Sequence, residues 1–324
     1  MSKRILYIGG TGTISYACIH EAVKAGQDVT VFNRGKSGEA LPDGVRLITG
    51  DMNDDAAYGA LANEKWDTVC QFLAFTTDQV KRDVGIFKGA TDQYVFISSA
   101  SAYAKPVDST RVTEETPLIN PYWEYSRNKA ACEDVLKSSG MPYTIVRPSH
   151  TLRHKLPNPF GDEGTFIHRI KTGKPIVVQG DGTSLWTITR AEDFAKPFVN
   201  LTDNPAAVND VFHITGDVAF TWNEITRAIA ENMGMEAKLC HVATDSLIGF
   251  EPDWEGPLLG DKSHCAMFDN SKVKRVAGDF SAETDINKVL AGPVAGAMSR
   301  VSKPDEALDA LFDRIVDWAA KAGS

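Results

Sequence analysis

The sequence lacks the features that mark disulfide-rich, metal-binding and membrane-spanning proteins. Its five cysteines are scattered through 324 residues and form no Cys-x-x-Cys pair, so we expect neither a disulfide framework nor a metal site. No apolar run is long enough to cross a bilayer, and the short apolar segment near the N-terminus lacks the pattern of a signal peptide. We therefore expect a cytoplasmic protein with no membrane partner.

An excess of positive charge is also absent. The chain has 34 Lys and Arg against 43 Asp and Glu, a formal net charge of -9, with no long run of one sign. Proteins that bind nucleic acids usually depend on a basic surface, so the composition argues against a nucleic-acid partner. The apolar share of 43% is enough for a substantial core, and the length allows two structural units.

Short β-rich runs alternate with helical patterns through the first half of the chain. This alternation predicts an α/β fold with a doubly wound parallel Rossmann sheet, whose ligands lie beyond the carboxyl ends of the strands. We predict strands over residues 4–9, 28–33, 45–50, 68–74, 94–99 and 143–147. We predict helices over residues 14–25, 54–62, 78–89 and 122–138.

The alternation breaks after about residue 150, where residues 151–163 are loop-like and rich in proline and glycine. We therefore predict a dinucleotide-binding Rossmann domain over residues 1–150 and a smaller, mixed α/β substrate-binding lobe over residues 151–324. A later strand and helix near residues 175–203 could return to the first domain. The remaining predicted elements are helices over 165–172, 191–201, 222–233 and 304–320, and strands over 175–179 and 211–215.

A glycine-rich turn follows the first predicted strand and precedes a helix. Glycines let the backbone approach a pyrophosphate closely, and the helix N-terminus offers free N–H groups. Ser15 holds the third small-residue position of the dinucleotide-binding fingerprint. The alternative is a tight turn without a ligand, because a glycine motif alone is weak evidence. The residues predicted to contact the cofactor here are Gly9, Gly10, Thr11, Gly12, Thr13 and Ile14.

The end of the second predicted strand bears on which cofactor is bound. An acidic residue at this point would bind the ribose 2′-hydroxyl of NAD, but the sequence has Asn33. Arg34 and Lys36 could pair with the 2′-phosphate of NADP, or they could be solvated surface cations. We therefore expect NADP, with NAD as the alternative. Asp51 and Met52, after the third strand, lie where the adenine edge is expected.

Tyr125 and Lys129 lie one helical turn apart on one face of a predicted helix. A phenol with a pKa of about 10 is a poor general base, and a neighbouring ammonium favours the phenolate. We therefore expect Lys129 to lower the pKa of Tyr125, which would exchange a proton with a substrate hydroxyl during hydride transfer. Ser99, after the fifth strand, could hydrogen-bond the same oxygen. A Tyr-x-x-x-Lys pair by itself arises easily by chance.

Seven elements in a fixed order give the sequence a resemblance to a known family. They are the glycine turn, Gly50-Asp51, Leu73-Ala74, the run Ser98-Ser99-Ala100-Ser101-Ala102-Tyr103, Glu115-Thr116-Pro117, Tyr125-x-x-x-Lys129-x-x-x-Glu133 and Arg147-Pro148. Together they resemble the extended short-chain dehydrogenase/reductases of the NAD-dependent epimerase/dehydratase family. The run after the fifth strand and the segment from Phe32 to Ser37 are similar to its chloroplast stem-loop-binding (CSP41-like) branch.

The resemblance implies roles for individual residues. It implies that Ser99, Tyr125 and Lys129 are the catalytic triad and that Lys129 also holds the nicotinamide ribose. It further implies a set of residues that line the nicotinamide: Leu73, Ala74, Phe75, Pro148 and Ser149.

Departures from the family pattern bear on the substrate. Ala100-Ser101 stands where the family's 4,6-dehydratases have an Asp-Glu pair, so we do not expect dehydratase activity. His150 and Trp186 stand where sugar-nucleotide epimerases have an asparagine and an arginine, which weakens the case for a nucleotide-diphosphate sugar. Ser101, His150 and Trp186 are predicted to contact the substrate, although His150 could equally be a packed core residue. Trp186 and Phe75 could form an apolar or sugar-stacking wall, and core packing is the expected role of at least one of them. Arg153, His154 or Lys262 could still supply a cation for a nucleotide-diphosphate sugar, although each is expected at the surface.

Two hypotheses of function follow. The first is an NAD(P)-dependent oxidoreductase or epimerase acting on a hydroxyl or ketone of a sugar-like small molecule. The second is a non-catalytic dinucleotide sensor or RNA-associated scaffold of the same fold. The acidic composition and the complete Ser-Tyr-Lys set favour the enzyme. Because the predicted helix over residues 122–138 is partly apolar, a homodimer is a further hypothesis.

Overall fold

The computed structural model describes residues 2–300 and 303–322. The strands are β1 (Arg4–Ile8), β2 (Asp28–Asn33), β3 (Arg46–Thr49), β4 (Trp66–Gln71), β5 (Thr91–Ile97), β6 (Arg111–Val112), β7 (Tyr143–Pro148), β8 (His150–Leu152), β9 (Ile176–Gln179), β10 (Leu185–Trp186), β11 (Ile188–Arg190), β12 (Asp210–Ile214), β13 (Phe220–Thr221), β14 (Leu239–Val242) and β15 (Met267–Phe268). The helices are α1 (Thr13–Lys24), α2 (Asp55–Gly59), α3 (Thr77–Phe87), α4 (Glu124–Ser138), α5 (Glu163–Thr172), α6 (Ala191–Leu201), α7 (Trp222–Asn232), α8 (Thr244–Phe250), α9 (Glu255–Pro257), α10 (Ser271–Ala277), α11 (Ile286–Arg300) and α12 (Glu306–Ala322).

Seven strands form one sheet in the order β12-β7-β5-β4-β1-β2-β3. Every neighbouring pair in it is parallel. The predicted doubly wound parallel sheet is therefore confirmed. From β1 the chain adds β2 and β3 on one side, and then β4, β5, β7 and β12 on the other side. The carboxyl end of β1 therefore lies where the strand order reverses, which is the place where such sheets bind ligands.

The strands are apolar on both faces because helices cover both sides of the sheet. Side chains of a strand alternate between faces, and β1 shows the division. Ile5 and Tyr7 pack in the cluster that includes α1 and α6. Leu6 and Ile8 pack in the opposite cluster, with side chains of α2, α3 and α4. The strand carrying the glycine turn is therefore held from both sides.

The second half of the chain contributes more to the sheet than the sequence pattern predicted. Residues 211–215 were expected in the lobe, but β12 pairs with β7 along its whole length and forms the edge of the main sheet, where Phe212 and Ile214 are fully buried. Helix α6 packs with α1 in the core on one face of that sheet. Strand β9 does not return to the sheet and pairs with β14 instead. The division of the chain at residue 150 stays a prediction.

The lobe has its own apolar core, built mainly from α5, α7 and α11. Helix α11 is absent from the sequence-based prediction because Gly292, Pro293 and Gly296 weaken its helical signal. The burial of Val289 and Leu290 in the lobe core stabilises the helix nevertheless. Between residues 2 and 300 and from 303 to 322, no helix has the length and apolarity that a membrane crossing requires.

A buried ion pair fixes α4 against the sheet. Arg147 of β7 donates from Nε and Nη2 to the two carboxylate oxygens of Glu133, at 2.8 and 2.6 Å. The Ser98 hydroxyl donates to the same carboxylate at 2.7 Å. Because Glu133 lies one turn beyond Lys129, the pair sets the position of the helix that carries the predicted Tyr-Lys pair.

We expect Glu133→Gln to lower the free energy of unfolding by about 3–5 kcal/mol, because it leaves the buried Arg147 guanidinium without its counter-charge. Urea denaturation measures the loss. Asp134→Asn is the matched control, since Asp134 is the next residue on the same helix and is exposed; we expect its stability to change by less than about 0.5 kcal/mol. Equal stability of the two variants would contradict the role of the pair.

Candidate functional site

The glycine turn after β1 has a backbone that only glycine adopts readily. Gly9 and Gly10 have φ values of 118° and 93°, in the left-handed region. A Cβ on Gly10 would lie 2.7 Å from Cγ1 of Val31 and 2.9 Å from Cδ1 of Ile19, so the turn packs directly against β2 and α1. Gly10 therefore packs against β2 and α1, and it does not line the cleft that adjoins the turn.

The start of α1 is suited to an anion. The Gly12 N–H donates to Oγ of Ser15 at 3.1 Å, and Ser15 is buried, as expected for the small residue of the fingerprint. The first turn of α1 carries no acidic side chain. The positive end of the helix dipole therefore has no acidic side chain of the first turn beside it, a condition that favours phosphate binding. The turn and the helix start together form a cradle that fits a pyrophosphate.

An elongated cleft of about 690 Å³ runs from this cradle in both directions. At one end it is lined by Asn33, Arg34, Lys36, Asp51 and Met52, and at the other by Leu73, Phe75, Tyr125, Lys129 and Pro148. The structure thus brings most of the predicted cofactor-contacting residues into one continuous surface. The phosphate cradle, with lining residues on either side of it from the loop after β2 to α4, fits a dinucleotide.

The loop after β2 presents two cations at the end of this cleft. The Asn33 side chain accepts a hydrogen bond from the Gly35 N–H at 2.7 Å, which turns the chain. Arg34 and Lys36 are exposed, and in the part of the chain that the structure describes neither is in an ion pair. Their charges are therefore available to a ligand in the cleft.

Two glutamines fix the segment that carries Leu73 and Phe75. The Leu73 N–H donates to Oε1 of Gln71 at 2.7 Å, and Gln71 itself donates to the buried Asp83 at 2.6 Å. The Phe75 N–H donates to Oε1 of Gln79, also at 2.7 Å. Leu73 and Phe75 remain 38% and 44% exposed, so two large apolar side chains are held rigidly at the wall of the cleft.

Lys129 is buried at the carboxyl ends of β4 and β5. Its ammonium donates to the carbonyl oxygens of Ala74 and Ile97, each at 2.8 Å. Burial lowers the pKa of Lys129 to about 8. Ala74 is itself buried. It therefore contributes its carbonyl oxygen to the site and not its side chain.

The pKa of Tyr125 differs from the sequence-based expectation. Burial raises it above its ordinary value, and a hydrogen bond from Ser99 offsets only part of that increase. Lys129 lies 5.9 Å from the centroid of the Tyr125 ring and is engaged by the two carbonyls, so in this chain by itself it does not lower the pKa. The expected lowering is therefore wrong for the protein alone, and Tyr125 is a protonated phenol at neutral pH.

A chain of serine hydroxyls leads to Ser99. Ser126 of α4 donates to Oγ of Ser101 at 2.8 Å. The hydroxyls of Ser101 and Ser99 are hydrogen-bonded at 2.8 Å. Ser99 is thereby oriented toward Tyr125 by neighbours on two elements, and Ser101 has a structural contact in addition to its predicted substrate role.

A second, smaller cavity of about 280 Å³ adjoins the cleft at Tyr125. Ile14, Tyr125 and Pro148 line both spaces. The second cavity contains the predicted substrate residues and, in addition, Ser99 and Ser149. The residues that line it are Ile14, Ser99, Ala100, Ser101, Trp123, Tyr125, Pro148, Ser149, His150, Thr151, Trp186, Thr187, Asp261, Lys262, Ala266 and Phe268.

His150 faces this cavity beside Trp186, with ring centroids 4.6 Å apart. Burial, followed by the nearby Lys262 charge, lowers the pKa of His150 to about 4. The imidazole is therefore neutral at physiological pH and can accept or donate a hydrogen bond without carrying charge.

Sequence reasoning missed Asp261, and for Lys262 it left a role as a substrate cation open while favouring a surface position. Lys262 was expected at the surface, but it is 7% exposed and lines the second cavity with Asp261. Arg153 is likewise not a surface residue, because its side chain is 9% exposed and pairs with Glu39. His154 is exposed, as expected. No local pattern around residues 258–262 marks a site, since their placement depends on the tertiary fold.

The sequence matches the family model described as NAD dependent epimerase/dehydratase over residues 5–215. The chain is 29% identical over 254 residues to the chloroplast stem-loop binding protein of 41 kDa b of Arabidopsis thaliana, covering 74% of this chain and 66% of that protein. It is 27% identical over 242 residues to 2′-dehydrokanamycin reductase of Streptomyces kanamyceticus, covering 71% of this chain and 67% of that protein. The chain thus spans about two thirds of the length of these relatives.

Among solved structures, the fold is similar to the Bordetella bronchiseptica enzyme WbmH in complex with NAD+. The TM-score is 0.72 at 18% identity, covering 93% of this chain and all of that one. At that identity the likeness concerns the fold. The family match includes the glycine turn, Ser99, Tyr125 and Lys129, and it covers more than half of the chain; the protein therefore belongs to the NAD-dependent epimerase/dehydratase family.

Proposed function

We propose that this protein is an NAD(P)-dependent oxidoreductase or epimerase that acts on a hydroxyl or ketone of a sugar-like small molecule. The observation that carries the proposal is that the dinucleotide-shaped cleft and the smaller cavity meet at Tyr125. A proton-transferring group at that junction can reach a substrate next to a bound nicotinamide. The Streptomyces relative is named as a reductase, which supports the redox assignment.

The residues of the cleft divide among the parts of the cofactor. The glycine turn and the start of α1 would hold the pyrophosphate, and Leu73 and Phe75 would flank the nicotinamide. A bound nicotinamide supplies or accepts a hydride. Lys129 has three N–H donors and uses two on backbone carbonyls, so the third would bind a ribose hydroxyl.

Tyr125 would move the proton at the substrate oxygen. In carbonyl reduction the protonated phenol donates to the oxygen as the carbonyl carbon gains a hydride, and in alcohol oxidation the proton returns. Ser99 would hydrogen-bond the same oxygen and hold it in place. Because burial favours the protonated phenol, Tyr125 holds, before substrate binds, the proton that carbonyl reduction requires.

We expect Tyr125→Phe to lower kcat by about 10²–10⁴-fold, the usual contribution of a positioned acid or base. Affinity for the cofactor should stay within about twofold, because the ring remains and only the hydroxyl is lost. Steady-state kinetics and cofactor titration measure the two effects.

Tyr122→Phe is the matched control, since Tyr122 lies three residues earlier and lines neither space; it should keep wild-type turnover. Full turnover by Tyr125→Phe would overturn the role of Tyr125 as the acid and base. Cofactor binding by the wild-type protein without turnover of any sugar-like substrate would favour the non-catalytic sensor or scaffold. A reductase changes the absorbance of the nicotinamide as it turns over, whereas an epimerase re-reduces its own intermediate and shows no net change.

The activity should depend on pH through Lys129. Its ammonium is present below a pKa of about 8 and is lost above it, so kcat/KM for carbonyl reduction should fall as pH rises through that value. In Lys129→Arg the charge persists to much higher pH, so the fall should disappear from the range between about pH 6 and about pH 10, even if the overall rate is lower. A profile that rises above pH 8 in the wild-type protein would contradict this assignment.

The cofactor proposed is NADP, because Arg34 and Lys36 line the cleft and β2 ends in Asn33 instead of the acidic residue that binds NAD. We expect Arg34→Ala to weaken binding of NADPH by about 10–100-fold, the worth of a charge-assisted hydrogen bond. Binding of NADH should change by less than about twofold. Arg227→Ala, at an exposed position of α7 outside the cleft, controls for the lost charge. Tighter binding of NADH than NADPH by the wild-type protein would favour NAD instead.

A further inference from the structure

The second cavity has a charged wall that none of the expected catalytic residues supplies. A π-helical turn, Leu258–Lys262, follows α9 and places Asp261 and Lys262 at the cavity. Such turns are rare and frequently occur at functional sites. Lys262 is almost fully buried although it is a lysine, and buried lysines are uncommon unless they are paired.

The backbone around Lys262 is firmly held. Its carbonyl oxygen accepts hydrogen bonds from Nε1 of Trp222 at 2.9 Å, from Oγ of Ser184 at 3.2 Å and from Nε2 of Gln179 at 3.4 Å. Three donors on three separate segments therefore converge on one carbonyl. The backbone from which the Lys262 side chain extends is therefore fixed, and such preorganisation is expected of a binding residue.

The same turn is tied to the loop of catalytic serines. Nδ2 of Asn120 donates to the carbonyl oxygens of Gly260 and Ser101, each at 2.7 Å. Gly260 must be glycine here, because a Cβ would lie 2.7 Å from Cβ of Trp123. The position of the Asp261–Lys262 pair is thereby fixed relative to the serine loop.

The chemistry of this wall matches a sugar ring. The Lys262 ammonium lies 3.4 Å from the Asp261 carboxylate and 5.3 and 5.4 Å from the ring centroids of Trp186 and Trp123. Adjacent hydroxyls on a ring can accept from the ammonium and donate to the carboxylate, while the apolar face of the ring packs on an indole.

The charge of the cavity lining argues against anionic substrates. Lys262 is already paired with Asp261, so the two together give no net attraction for a phosphate or carboxylate. Diphosphates are usually bound by arginine in a bidentate arrangement, and no arginine of the described chain lines this cavity.

We propose that Asp261 and Lys262 are the specificity-determining pair of this site, and that they select an uncharged sugar or cyclitol that carries no nucleotide. The inference rests on the proposed function, since it names the substrate class of the same site. The pair grips two neighbouring hydroxyls while the carbon to be oxidised or reduced lies beside Tyr125.

Calorimetry on the full chain loaded with NADP+ tests this inference without depending on turnover. The panel contains uncharged monosaccharides and cyclitols, the corresponding uronic acids and sugar phosphates, and UDP-sugars. We expect uncharged rings to bind, and Asp261→Asn and Lys262→Met each to weaken their binding by about 10–100-fold, as for hydrogen bonds to charged groups. Both substitutions keep the backbone carbonyl that holds the turn.

Lys171→Met, at an exposed position of α5, is the matched control and should bind like the wild-type protein. Affinity for NADP+ should be unchanged in all three variants. Binding of uncharged rings that is insensitive to both substitutions overturns the inference, as does tighter binding of a UDP-sugar or sugar acid than of the free sugar, or no binding of any uncharged ring. Failure of the proposed function is a separate result: sugar bound at the pair, with no loss of turnover in Tyr125→Phe.

Discussion

The site depends on one buried cation. Lys129 extends from α4 into the sheet and donates to two backbone carbonyls at the carboxyl ends of β4 and β5. Those carbonyls belong to the segments that carry Phe75 and Ser99. The Lys129 ammonium therefore connects α4 to both of these segments. Burying a charge is costly unless its donors are satisfied, and the lowered pKa of Lys129 is a measure of that cost. The neighbouring Glu133–Arg147 pair holds the helix in the position that makes the contact possible.

This arrangement separates two tasks that meet at Tyr125. The long cleft has a phosphate cradle, two exposed cations and two exposed apolar side chains, which suits a dinucleotide. The small cavity has indole rings, a neutral imidazole and a compensated charge pair. Tyr125 lies between them, where a hydride from one side and a proton from the chain could reach the same carbonyl group. The proposed chemistry therefore depends on the location of Tyr125 between the two spaces.

The sequence predicted the parts of the site that are local in the chain. The glycine turn, the Tyr125–Lys129 spacing and the cations after β2 are each encoded within a few residues, and strand and helix periodicity located the sheet. Asp261 and Lys262 lie more than a hundred residues from Tyr125, on a turn whose position is set by hydrogen bonds from distant side chains. Likewise β12 joins the sheet through pairing with β7, which no local pattern reveals.

The protonation state of Tyr125 could not be predicted from the Tyr125–Lys129 spacing alone. The i, i+4 arrangement brings an ammonium near the phenol, but the carbonyls of Ala74 and Ile97 engage that ammonium. Burial therefore raises the pKa of Tyr125 without an opposing effect of Lys129. The Asp261 carboxylate acts in the same direction, raising the pKa of Tyr125 from the substrate cavity. A substrate hydroxyl that donates to Asp261 would weaken that effect, because it would disperse the charge of the carboxylate. The residues proposed to bind the sugar ring would then also adjust the proposed acid, so recognition and proton transfer would be coupled through one carboxylate.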